Sequence, residues 1–156
     1  MQEISAARAS VVDSVLKLEP PQLDIVFLGT WTVKDLLSHL IGWDSANLQA
    51  INELRESQLP EFYNHIDADW RSYNALLVER YYSDDINALL SRAELSHTEL
   101  LRKVDSLPPA ELDRDWGVRY KGYRVTIARL LQVEAGDEQE HARQIREYFG
   151  LPARAM

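Results

Sequence analysis

Residues 29–56 read GTWTVKDLLSHLIGWDSANLQAINELRE, and this stretch decides the fold. It contains no proline. Its apolar residues Val33, Leu36, Leu37, Leu40, Trp43, Ile51 and Leu54 recur at the steps of one helical face. Thr32 stands where an N-cap hydroxyl belongs, and Asp35 is placed to complete a capping box as a shorter substitute for Glu or Gln. Trp31 before the cap and Leu36 in the first turn have the spacing of a hydrophobic staple. The pattern predicts a helix from Thr32 to about Glu56.

The rest of the chain is divided by its prolines, since a helix interior excludes a residue that lacks the N–H and crowds the preceding turn. Pro20 and Pro21 end a first helix over residues 3–18, whose stripe is Ile4, Ala7, Val11, Val15 and Leu18. Beyond Pro60, a third helix starts near Asp67 or Asp69 and carries Trp70, Tyr73, Leu77 and Tyr81 on one face. Ser83-Asp84-Asp85 is a fresh N-cap signature, so that helix is interrupted near residues 82–84 and resumes over 84–106. Residues 108–125 hold Pro108, Pro109, Gly117 and Gly122 and read as a loop with short extended pieces. The last helix runs from Thr126 to about Phe149, closed by Gly150 and Pro152. Long amphipathic helices without sustained β alternation predict an all-α four-helix bundle, a single domain over 1–156.

Composition narrows the function. Four Trp and seven Tyr in 156 residues are too much apolar bulk to leave in water, so disorder is excluded as the main state. With 25 Asp and Glu against 17 Lys and Arg the formal charge is −8, which argues against nucleic acid and anionic membranes as partners. The absence of cysteine removes disulfides, thiolate metal ligands and a cysteine nucleophile, and fits a cytoplasmic location. No apolar run approaches a bilayer span, and the first residues lack the apolar core of a secretory signal.

Polar residues that fall on the apolar stripes are the candidates for chemistry. With Leu130 taken as the centre of the last helix's buried face, Glu134, Asp137, His141 and Tyr148 lie within about 40° of it. Asp137 and His141 are i and i+4, so their side chains emerge one above the other and can reach one ion. On the second helix His39 lies at the stripe edge, with Asp44 and Asn47 inside it. Asn74 sits between Trp70 and Leu77, and His97 between Ala93 and Leu100. Buried ionisable groups cost several kcal/mol unless paired or metal-bound, so a row of them points to a pocket in the bundle. Two His and a carboxylate suit a divalent first-row metal with open positions. Simpler readings stand beside this: an intrahelical Asp137–His141 ion pair at a wet rim, a hydrogen-bonded core His97, a surface His65, an Asn74 that bridges backbone groups, and aromatic residues that only pack.

Three segments resemble a known group. GTWTVKDLLSHLIGWD (29–44) looks like the second helix of the DinB-like four-helix-bundle superfamily, and GDEQEHARQIREY (136–148) like its last helix. DADWRSYNALLVERYYSDD (67–85) is similar to relatives near the colibactin self-protection (ClbS/DfsB) branch. The resemblance implies a homodimer and a metal held by one His from the second helix and two from the last. By position His39 matches the first ligand and His141 the last, while Asp137 falls where the family has its middle His. Related members include isomerases and transferases whose nucleophile is a low-molecular-weight thiol, a cosubstrate compatible with a chain without cysteine.

The reading that follows is a metal-dependent enzyme, a hydrolase or thiol transferase or isomerase, acting on a small molecule. His39, Asp137 and His141 hold Ni, Zn, Mn or Fe. Glu134 serves as general base or supports the ligands, and Asp44 and Asn74 orient substrate. Two neutral imidazoles and one carboxylate leave such a site at net +1, which suits hydroxide or an anionic substrate. The alternatives are a metal-free small-molecule-binding or self-protection protein, and a non-catalytic dimeric scaffold.

Overall fold

The computed structural model describes residues 2–65 and 70–152. Four long helices carry the fold: α1 (Gln2–Leu16), α2 (Val33–Arg55), α4 (Ile86–Asp105) and α6 (Ile127–Phe149). A shorter α3 (Arg71–Tyr81) precedes α4, and α5 (Pro109–Leu112) is a single turn. Helix α1 packs along α6, while α2 packs against α3, α4 and α6. The chain is thus an all-α bundle, as its stripes predict. Among the described residues no helix is long and apolar enough to cross a membrane.

Local chemistry sets most helix ends. At the start of α2 the Thr32 N–H donates to Asp35 Oδ2 at 2.8 Å, and the Asp35 N–H points back to Thr32 Oγ1. Trp31 and Leu36 belong to the same apolar cluster. Asp85 caps α4 by accepting from the Asn87 and Ala88 N–H groups, and Thr126 caps α6 by accepting from Arg129. Gly150 takes the left-handed conformation at φ 64° and ends α6. The interruption between α3 and α4 spans residues 82–85. Of the expected start of the third helix, Asp67 and Asp69 lie outside the described residues; the described helix begins at Arg71. Two features exceed the sequence reading: 3-10 turns at Pro20–Asp24 and Glu61–Asn64. The extended pieces in 108–125 are a hairpin, β1 (Arg119–Tyr120) and β2 (Tyr123–Arg124). Its turn residues Lys121 and Gly122 both have positive φ, the conformation a tight two-residue hairpin requires.

The core is two apolar clusters with a polar layer between them. One holds Leu36, Leu37, Leu40, Val11, Leu89 and Ile145; the other holds Ile51, Leu54, Leu100, Val104, Ile127 and Leu130. Each long helix changes from one cluster to the other through a buried polar residue: Arg8 on α1, Asp44 on α2, His97 on α4 and Glu138 on α6.

Helix α3 lies so close to α2 that only glycine fits at position 42. A Cβ there would stand 2.6 Å from Leu77 Cβ, an atom fixed to the α3 backbone that no rotamer can move away. Gly42→Ala is therefore expected to cost about 1–3 kcal/mol through overpacking, against any gain in helix propensity. At about 2–4 °C per kcal/mol for a chain of this size, thermal denaturation should show the midpoint fall by several degrees. An unchanged midpoint would mean that α3 is free to shift.

Candidate functional site

The polar layer contains two adjoining groups with different chemistry. In the inner one Arg8 is only 4% exposed, yet all five of its N–H donors are used. Nε and Nη2 donate to Glu138 at 3.0 and 2.7 Å, Nη1 and Nη2 to Asp44 at 2.9 and 3.0 Å, and Nη1 also to the Ala93 carbonyl at 2.9 Å. Ser96 Oγ donates to Asp44 Oδ2 at 2.6 Å. His97 Nδ1 stands 3.8 Å from Asp44 Oδ1, beyond ordinary hydrogen-bond length. Burial works against the Asp44 charge, but His97, Arg8 and Ser96 outweigh it and hold Asp44 below the usual carboxylate range. Asp44, His97 and Glu138 lie close enough together to share a cation, and Arg8 already supplies that charge. Asp44 therefore does not orient substrate: it is fully buried and bonded to Arg8, away from the cleft.

The outer group opens into a cleft of about 310 Å³ between α2, α3, α6 and the hairpin. Helix α2 presents His39, Trp43 and Asn47 to it at successive i+4 steps, and α6 presents Leu130, Val133, Glu134 and Asp137. His39 and His141 are buried, and Asp137 sits between them at the half-open rim with 47% of its side chain exposed. Asp137 Oδ2 is 3.4 Å from His39 Nε2 and 3.2 Å from His141 Nε2. Of the expected site residues, the fold thus brings His39, Asp137 and His141 together at one point, with Glu134 and Asn74 on the same cleft.

The electrostatics of this trio favour metal ligation. Burial first, then the neighbouring His141, lower the His39 pKa despite Asp137, so its ring is neutral at pH 7. Burial opposes the charged form of His141 as well, but the hydrogen bond and charge of Asp137, with Gln144, raise it overall. Asp137 is pushed far down: burial would raise it, and the bonds to His141 and His39 prevail. His141 Nδ1 is 2.9 Å from Gln144 Oε1. Gln144 Oε1 and Asp137 Oδ2 can only accept, so Nδ1 donates to Gln144 and Nε2 to Asp137 in the charged ring, and loss of the Nε2 proton would free a lone pair there for an ion. His39 Nδ1 is buried without a partner, so the polar engagement of that ring rests on Nε2 alone. Donors about 2.0–2.2 Å from one ion stand roughly 3.0–3.5 Å from each other, and the two contacts to Asp137 fall in that range. The residues present therefore fit a divalent ion.

Glu134 behaves differently from a general base. Its Oε2 accepts from Asn47 Nδ2 at 3.2 Å, and its Oε1 is buried with no partner. Burial, then the charges of Glu138 and Asp44, push its pKa well above the usual carboxylic range. A carboxyl that keeps its proton can donate one, and accepts one poorly. The sign for stability follows. Between the unfolded and folded pKa values the native state holds a proton that the unfolded chain has lost, so stability falls as pH rises through that window. Glu134→Gln is expected to make the melting midpoint fall less steeply as pH rises above the ordinary carboxylate range, since one such proton is worth up to about 1.4 kcal/mol per pH unit. Parallel midpoint-against-pH curves for parent and variant would show instead that Glu134 ionises freely.

Two residues of the polar layer escaped the sequence reading, Arg8 and Glu138. The arc of α6 that is buried includes Ile127, Leu131, Ala135, Glu138, Ala142 and Ile145, so its centre is about 70° from Leu130. That rotation moves Glu138 to the middle and leaves Asp137 and Tyr148 at the edge, with Tyr148 54% exposed. Arg8 had a readable signal: it lies one residue after Ala7 and three before Val11, inside the α1 stripe. Asn74 accepts from Trp43 Nε1 at 3.0 Å and lines the cleft.

The helical bundle is that of the DinB-like proteins. Residues 4–136 match the model of the mycothiol maleylpyruvate isomerase N-terminal domain, and the chain belongs to that family. No curated protein matches the chain. Among solved structures, the colibactin self-resistance protein ClbS in complex with double-stranded DNA shares the fold, with a TM-score of 0.75 at 17% identity over 97% of this chain and 94% of that one. This match overturns the expectation that nucleic acid is excluded as a partner, because a protein of this fold is seen on DNA. The expectation failed because net charge sums the whole surface, whereas nucleic acid meets only part of it.

Proposed function

We propose that this chain is a metal-dependent enzyme that acts on a small electrophile in the aromatic cleft, with water or a low-molecular-weight thiol as nucleophile. The observation that carries the reading is the approach of His39 Nε2 and His141 Nε2 to one Asp137 oxygen, at 3.4 and 3.2 Å. A divalent ion held by these three residues would supply Lewis acidity to the nucleophile or the electrophile. The chain's own groups do the rest. Gln144 fixes the His141 tautomer, and burial keeps His39 unprotonated. Glu134, holding its proton, donates to the anion that forms as the electrophile is attacked. The Asn74 amide positions substrate, and the aromatic wall excludes water. The family's thiol chemistry supports the thiol as the preferred nucleophile.

Elemental analysis of protein purified without an affinity tag tests this reading. About one divalent ion per chain is expected, with a melting midpoint that falls when a chelator is added. A chain that takes up no Zn, Ni, Mn or Fe even when titrated would sink it. A second reading, favoured by the shape match to a self-resistance protein, would then take its place: a metal-free cleft that captures a reactive small molecule.

A further inference from the structure

We propose that the cleft takes a flat aromatic carboxylate, with its anionic end on Arg129 and its other end facing His39 and Asp137. The proposal rests on the cleft being a small-molecule site, as above, and does not require the metal. Three features of the cleft support it.

The first is the cation. Arg129 lies on the cleft, and its guanidinium carbon sits 4.0 Å from the Tyr123 ring centre. Stacking engages one face of the guanidinium and leaves its in-plane N–H fork open, the geometry that grips a carboxylate with two bonds. Among the described residues no acid pairs with it, so its fork is free for a ligand.

The second is shape. Trp43, Phe62, Tyr63 and Trp70 line the cleft. The Trp43 ring meets Phe62 and Trp70 at 70° and 71°, so faces and edges alternate around the opening. Such a wall receives a flat ring by stacking or edge contact. Trp70 is held there in the left-handed conformation at φ 59°, which a non-glycine residue adopts only under constraint. Opposite, Val133 lines the cleft while 65% exposed, an apolar surface that a ligand would cover.

The third is length. Arg129 and Asp137 are eight residues apart on α6, about 12 Å along the helix axis. A ring whose carboxylate sits on Arg129 therefore extends toward the His–Asp–His cluster. A volume near 310 Å³ is at the lower end for small-molecule sites, which suits one or two rings.

Isothermal titration calorimetry with three probes tests this: 2-naphthoate, its neutral counterpart 2-naphthalenemethanol, and the puckered anion cyclohexanecarboxylate. Naphthoate is expected to bind at least about tenfold more tightly than either, the scale of one charge-assisted contact. Arg129→Met should remove that advantage over the alcohol, leave alcohol binding unchanged and leave the helical circular dichroism intact. Equal binding of the three, no binding of naphthoate, or full naphthoate affinity in Arg129→Met would overturn the proposal. Metal content measured on the same samples separates the two readings. A metal-free chain that still selects naphthoate through Arg129 keeps this proposal and removes the metal enzyme, and a metal-loaded chain indifferent to Arg129 does the reverse.

Discussion

Arg8→Met should destabilise the protein by about 3–5 kcal/mol, because it leaves two carboxylates in the core without their counter-ion. Methionine fills much of the volume of the arginine stem, so the loss reports charge rather than a cavity. Asp44 and Glu138 are both fully buried, and each takes two hydrogen bonds from Arg8. Against a total stability of about 5–15 kcal/mol this is a large fraction, and the melting midpoint should fall by roughly 6–20 °C. The triple variant Arg8→Met, Asp44→Leu, Glu138→Leu should recover much of the loss, since replacing a whole buried ionic group with apolar residues is often neutral or stabilising. Urea denaturation of the parent and both variants checks this. If Arg8→Met unfolds at the same urea concentration as the parent, water or a second cation must reach the layer.

Metal affinity should fall by about a hundredfold or more in His39→Ala and in His141→Ala, with helix content nearly unchanged. Gln144→Leu should cost about 10–100-fold, although Gln144 touches no metal, because it frees the His141 ring to rotate and to exchange tautomers. Calorimetric titration with Zn²⁺ or Ni²⁺ measures all three. The parent should bind more weakly as pH falls, since the ion must displace the His141 proton. That displacement begins to cost at a higher pH than for a free imidazole, because Asp137 and Gln144 raise the His141 pKa. Unaltered metal uptake by His141→Ala would remove the trio as the binding site.

Helix positions were legible from short range. The Thr32–Asp35 box, the Asp85 and Thr126 caps and the Gly150 stop are interactions within a few residues, and the prolines mark breaks for local steric reasons. The Asp137–His141 pair was legible for the same reason, since i and i+4 on a helix always meet. Which arc of each helix is buried was not. It depends on the neighbours: α6 packs against both α1 and α2, and that pairing rotates its buried arc toward Glu138. Asp44 shows the consequence, for its place on the α2 stripe suited either a pocket or an ion network, and Arg8, 36 residues away, took it into the network.

The sequence by itself determined an all-α bundle, most of its helix ends and the Asp137–His141 spacing, because periodicity, capping and side-chain position on a helix are local properties. Only the tertiary structure decided that His39 reaches Asp137 across 98 positions, that Arg8 closes the core charge with Glu138 across 130, and that the hairpin brings Tyr123 beside Arg129. Those contacts depend on how helices and loops far apart in the chain pack against one another, and no window of sequence contains that information.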